Sequence, residues 1–332
     1  MKDLLSRLVD SFGPSGSEET VRSLIKKEIK GLSEEVFEDN LGNLVAYKGP
    51  KGVEGDLLIV SHMDEIGLMV TFIDENGFLR FTNIGGLPKN TLVGSRIVFR
   101  NGTSGVISQE KVKDQTELDF NKMFIDIGAR SKKEALEKVK IGDTAVLVSA
   151  FSQECTRLIG KSMDNRAGCA LLIETMRRLP ASLPHGINFA FTVQEEVGLR
   201  GARPVTYSLK PRYGLAVDVT RVGDTPEPEY KMDVSLGKGP AIKVKDSSVI
   251  CHARVVELMV RTAENNNIPY QMEVLERGGT DAGVIHLSRE GVPSGVLSIP
   301  CRYVHTSSEM VDLQDLENGV LLLVALLKDK WL

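Results

Sequence analysis

Residues 57–65 read Leu57-Leu58-Ile59-Val60-Ser61-His62-Met63-Asp64-Glu65. The four leading apolar residues form a short continuous run, the pattern of a strand buried on both faces of a parallel or mixed α/β sheet. The run then delivers a His, an Asp and a Glu. Three more runs behave alike. Residues 187–193 lead into Gln194-Glu195-Glu196, residues 215–217 into Asp218, and residues 295–299 towards Cys301-Arg302-Tyr303-Val304-His305. In open α/β sheets, ligands bind beyond the carboxyl ends of the strands. Four apolar strands therefore point His, Glu, Asp and His at one edge, in a chain with only five His.

Outward from these runs, helical patterns lie near 166–178, 251–266, 280–289 and 312–328. Leu4, Leu5 and Leu8 predict a first helix. Ser15 and Glu18 predict a capping box for a helix near 17–31. Residues 36–48 alternate around Asn40-Leu41-Gly42-Asn43, a hairpin signal. The stretch 68–155 differs: short alternating segments at 77–81, 96–99, 105–108, 124–127 and 145–148 are separated by Gly and Asn, with one short helix at 131–139. The expected architecture is α/β, a mixed central sheet flanked by helices. Residues 1–67 and 156–332 form the main domain, and a small β-rich, barrel-like domain is inserted at 68–155. The 332 residues agree with about two domains.

Composition narrows the function. Lys and Arg total 41 against 45 Asp and Glu, a net charge of −4, so no basic field exists for a nucleic acid. Aromatics at 5% argue against a surface built on stacking platforms. The four Cys have no CxxC spacing, so no zinc knot or thioredoxin-like motif is indicated, and their scatter suits a reducing compartment. The longest apolar run, 320–327, is far short of the about 20 residues that span a bilayer, and the N-terminus has no apolar signal region. A soluble cytoplasmic protein is expected. No GxSxG elbow and no P-loop occurs.

His62 and Asp64, two apart in an extended segment, share a side, and a carboxylate beside a metal-binding His fixes its tautomer. Asp64 capping a turn is the plainer alternative. The side chains of Glu195 and Glu196 diverge at a strand end, so one suits a metal and the other acid–base work. Asp164 precedes a helix and is either an N-cap or a bridging ligand. Gly279, Thr280 and Asp281 open another helix, either as caps or next to a ligand. His185, His252 and His286 are expected to be structural.

Taken in order, His62-Met63-Asp64-Glu65-Ile66-Gly67, Ser162-Met163-Asp164-Asn165-Arg166, Thr192-Val193-Gln194-Glu195-Glu196-Val197-Gly198, Val217-Asp218-Val219 and His305-Thr306 carry a resemblance. The chain resembles the dinuclear metallo-aminopeptidases of the glutamyl aminopeptidase and TET peptidase family, some of which are labelled endoglucanases. The resemblance implies two divalent ions per subunit, Zn foremost with Co and Mn compatible, bridged by Asp164. His62 and Asp218 would complete one site, Glu196 and His305 the other. Asp64 would orient His62, and Glu195 would act as general base on a bridging water. None of these seven positions departs from the family pattern. The resemblance also implies peptide substrates, dimers through the inserted domain, and a hollow assembly of twelve subunits. A glycoside hydrolase with paired carboxylates and a non-catalytic metal-binding scaffold are the competing readings. Two strand-end His and few aromatics oppose the first, and an intact Glu195 opposes the second.

Overall fold

A computed structural model of the chain describes residues 1–50, 56–114, 118–229 and 231–329. Two helices open it, α1 (Lys2–Asp10) and α2 (Glu19–Glu28), followed by β1 (Glu35–Glu38), β2 (Leu44–Lys48) and β3 (Leu57–His62). Next come β4 (Gly67–Ile73), β5 (Leu79–Ile84), β6 (Arg96–Phe99), β7 (Ser104–Gln109), β8 (Met123–Asp126), α3 (Lys132–Lys138) and β9 (Thr144–Leu147). Strands β10 (Ser152–Glu154) and β11 (Arg157–Gly160) precede α4 (Met163–Arg178), β12 (Ile187–Thr192), α5 (Ala202–Leu209) and β13 (Tyr213–Thr220). The chain continues through β14 (Ala241–Lys245), α6 (Ala253–Asn265), β15 (Gln271–Val274), α7 (Ala282–Ile285), β16 (Ser294–Arg302), β17 (Glu309–Asp312) and α8 (Leu313–Lys328).

The four apolar runs are β3, β12, β13 and β16. They lie together in one mixed sheet of order β1-β2-β12-β3-β13-β16-β17-β11-β10, with β14 paired to β16 and β15 to β14. Strands β12, β3, β13 and β16 are mutually parallel, so their carboxyl ends share one edge. Every residue of β3, β12 and β13 is buried, because alternate side chains enter two different cores. Leu57, Ile59, Phe189, Phe191, Leu215 and Val217 pack with α1, α2, α4, α6 and α8. Leu58, Val60, Ala190, Ala216 and Val296 pack with α5 and α7 on the other face. That two-sided cover makes the sequence runs continuous rather than alternating.

Between β3 and β10 the chain closes a second body, a barrel of order β4-β5-β8-β7-β6-β9. Its interior is a separate apolar cluster that includes Leu68, Phe81, Ile97, Phe99, Ile107 and Ile125. Closure leaves no unpaired sheet edge. The hairpin near 36–48 is the antiparallel pair β1–β2. Two local expectations need correction. The helix expected at 280–289 is only the four residues of α7. The Ser15–Glu18 capping box does not form: Glu18 is the N-cap of α2 without a side-chain cap bond, and both side chains serve partners from the sheet edge described below. Among the described residues no helix is long and apolar enough to cross a membrane.

Candidate metal centre

The sheet edge gathers His62 from the end of β3, Glu195 and Glu196 from the loop after β12, Asp218 from β13, and His305 from the loop between β16 and β17. Asp164 comes from the first turn of α4, which is kinked: Asp164 (φ −77°, ψ 102°) and Asn165 (φ −123°, ψ 43°) are not helical. The kink keeps the Asp164 side chain from capping α4. Asn165 takes over the capping position, its Oδ1 accepting from Gly168 N at 3.1 Å while its amide donates to the Val217 carbonyl. The Asp164 carboxylate is therefore free to face the site. One oxygen lies 3.0 Å from His62 Nε2 and the other 3.3 Å from His305 Nε2.

Two triads share that carboxylate. In the first, His62 Nε2 lies 3.6 Å from Asp218 Oδ1. In the second, His305 Nε2 lies 3.2 Å from Glu196 Oε2. The donor atoms of His62, Asp164 and Asp218 lie within 4.8 Å of one another, and so do those of Asp164, Glu196 and His305. Glu195 stands beside both, its Oε2 3.8 Å from His62 Nε2.

The electrostatics follow from packing acids out of water. Burial pushes the Glu195 carboxyl well above its usual range, and the charges of Asp218, Asp281 and Glu196 add to the rise. Burial also raises Glu196 and Asp218. Burial opposes the charged forms of both imidazoles, yet the surrounding carboxylates outweigh it. His62 is held well above its ordinary value, and His305 is pushed up to about 12. The Asp164 carboxyl, although buried, is drawn well down by His305 and His62. A cluster that recruits its own imidazoles as cations is a strongly negative cavity. Glu196 Oε1 is buried without a hydrogen-bond partner among the described residues. Carboxylate oxygens and imidazole nitrogens converging in this way fit divalent cations.

Behind the donors lies a hydrogen-bonded shell. Asp64 is fully buried. Its carboxylate accepts from Ser15 Oγ at 2.6 Å and from the amides of Glu195 at 3.0 Å and Glu196 at 3.2 Å. Its contact with His62 is longer: Nδ1 lies 3.5 Å from the carboxylate and 3.2 Å from the Asp64 carbonyl. Glu18 accepts from Gly16 N and from Gln194 N, the residue before Glu195, which has φ 55°. Glu65 takes Gly13 N, Lys161 Nζ and Arg166 Nη2. None of Ser15, Glu18 and Glu65 was expected at the site. Their signal in the sequence is only adjacency or a local motif.

A cleft of about 420 Å³ opens onto both triads. Leu199, Leu275, Arg277, Gly278 and Gly279 form part of its wall, and Gly86 reaches it from the barrel. Of the three residues expected near a ligand, only Gly279 lines the cleft. Thr280 and Asp281 are buried, and Asp281 Oδ2 accepts from Thr192 Oγ at 2.5 Å. Burial then raises the Asp281 carboxyl to about 7.

Known proteins resemble the chain over nearly its whole length. Residues 42–322 match the family model described as M42 glutamyl aminopeptidase. A putative aminopeptidase of Acetivibrio thermocellus is 49% identical over 325 residues, 98% of this chain and 97% of that one. Among solved structures, the aminopeptidase APDkam598 of the archaeon Desulfurococcus kamchatkensis superposes with a TM-score of 0.95 at 38% identity, covering 99% of this chain and 94% of that one. The Pyrococcus horikoshii TET1 peptidase, described as able to assemble into a tetrahedron or a large octahedral shell, superposes with a TM-score of 0.90 at 36% identity, covering 99% of both chains. The chain belongs to the M42 glutamyl aminopeptidase family and is a metal-dependent aminopeptidase, a peptide hydrolase.

Proposed function

We propose that this chain removes N-terminal residues from peptides at the cleft, with two divalent ions held by the two triads. His62, Asp164 and Asp218 hold one, and Asp164, Glu196 and His305 hold the other. The single observation that carries the reading is the shared Asp164 carboxylate, which offers one oxygen to each histidine side. When bound, such ions supply Lewis-acid polarisation of a carbonyl and a water of lowered pKa. Zn is the expected metal, with Co and Mn compatible.

The protein's own groups account for the rest. Glu195 is the general base: it ligates neither ion and is buried enough to hold a raised proton affinity. It takes the proton of the attacking water and returns it to the leaving amine. Asp64 holds the backbone of Glu195 and Glu196 and steadies His62. Gly279 gives the substrate an approach without a side chain in the way. The cleft wall also carries Leu199, Leu275 and Arg277, and their packing sets which N-terminal side chain is preferred.

The barrel is proposed as the unit inserted at 68–155 into a catalytic domain of 1–67 and 156–332, and as the dimerising part of a twelve-subunit shell. Phe72, Val93, Val106, Ile141 and Val148 are all exposed on this stretch, as an interface with a second copy requires.

Chelation tests the catalytic reading. Metal-free enzyme is expected to lose hydrolysis of a panel of aminoacyl-p-nitroanilides, and Zn, Co or Mn is expected to restore it. Undiminished turnover after EDTA would sink the reading.

A further inference from the structure

We propose that Glu309 is a positioning residue of the metal centre, its buried carboxylate fixing the backbone of Asp164 and of His305 and thereby setting the affinity of the ion between Asp164, Glu196 and His305. This rests on the ligand assignment proposed above.

Glu309 opens β17 and is 1% exposed. In the β11–β17 ladder it pairs with Gly160, so it lies beside the chain just before the turn to Asp164. One of its oxygens accepts from Asp164 N at 3.0 Å, and the other accepts from His305 N at 2.6 Å. A single carboxylate thus joins two segments that lie 141 residues apart in sequence (164 and 305). Glu309 is not itself a member of either donor triad.

The two segments need holding. Asp164 and its neighbour are outside helical geometry. His305 has φ 68° and Tyr303 φ 60°, left-handed values that L residues with a side chain disfavour. His62 ends a fully buried strand whose backbone ladder holds it. The His305 side chain is 24% exposed against 2% for His62, so packing restrains it less. Glu309 supplies to this half of the centre what Asp64 supplies to the loop of Glu195 and Glu196: one buried carboxylate on two backbone amides.

Chemistry gives the consequence. Gln in place of Glu309 keeps the shape but turns one acceptor into a donor that meets a backbone N–H. Ala removes both acceptors. His305 serves one ion only, whereas Asp164 serves both, so the ion at Asp164, Glu196 and His305 is weakened most.

The test is a calorimetric Zn titration of metal-free wild type, Glu309→Gln and Glu309→Ala, with ions counted by atomic spectrometry and the melting temperature of each metal-free form recorded. Wild type is expected to bind two ions. Glu309→Gln is expected to keep one affinity and to weaken the other about ten- to a hundredfold, the usual effect of losing such a partner. Added Zn is then expected to restore kcat with KM unchanged. Wild-type affinity for both ions in the two variants overturns the proposal. Equal weakening of both ions with a lowered metal-free melting temperature also overturns it, because that is the mark of a purely structural residue. So does failure of both variants to fold. Fewer than two ions in the wild type overturns the underlying ligand assignment, and this proposal with it.

Discussion

Asp64 shows how much one buried carboxylate does here. Its nearest partners are Ser15 and the amides of Glu195 and Glu196, with His62 slightly farther away. Burial disfavours its charge, but His62, Ser15 and the Glu195 amide hold its carboxyl below the usual range. Asn at this position would present an NH₂ to a hydroxyl or a backbone N–H. Asp64→Asn is therefore expected to lower kcat/KM by about ten- to a hundredfold, with the loss read by steady-state kinetics on an aminoacyl substrate. Unchanged kcat/KM would show that the shell does not matter. The donors themselves were legible because each follows a buried strand or opens a helix, and His is scarce. Ser15, Glu18 and Glu309 were not, because Ser15 and Glu18 read as a local helix cap and an isolated Glu309 has no pattern. Their partners lie 49 residues away for Ser15, 176 for Glu18, and 145 for Glu309 across the Asp164 bond.

At the level of elements, the four central strands were readable because helices cover both faces of the sheet, which forces continuous apolar runs. Strands β15 and β17 were not. Strand β15 is four residues long with alternate burial, and β17 begins and ends on acids, so neither produces such a run. The capping-box motif failed because Ser15 and Glu18 bond Asp64 and the Gln194 amide instead of the amides of α2. The start of α4 was ambiguous between cap and ligand, and across the kink it is Asn165, not Asp164, that bonds the Gly168 amide. The contribution of the barrel to the site was also hidden. A Cβ on Gly86 would lie 3.0 Å from His305 Nδ1, and one on Gly85 would lie 3.2 Å from Glu196 Oε2. In the sequence that pair reads only as a turn, whereas in the fold it lets the β5 end close against the second triad.

The whole molecule is a mixed sheet bearing both donor triads and a closed barrel attached where β3 ends. That plan was legible because the inserted stretch changes from continuous to alternating apolar residues. Phe72, Val106 and Ile141 are exposed on the barrel stretch. Multi-angle light scattering at micromolar concentration is expected to report about twelve times the 36.4 kDa subunit mass, and a monomer would remove the shell. The account depends most on the division of labour in the centre, with two triads binding ions and Glu195 moving the proton. The direct measurement is the metal content of Glu195→Gln together with its turnover on an aminoacyl-p-nitroanilide. The account predicts two ions per chain, as in the wild type, with turnover reduced about a hundredfold or more. Turnover at the wild-type rate, or loss of an ion, would contradict it.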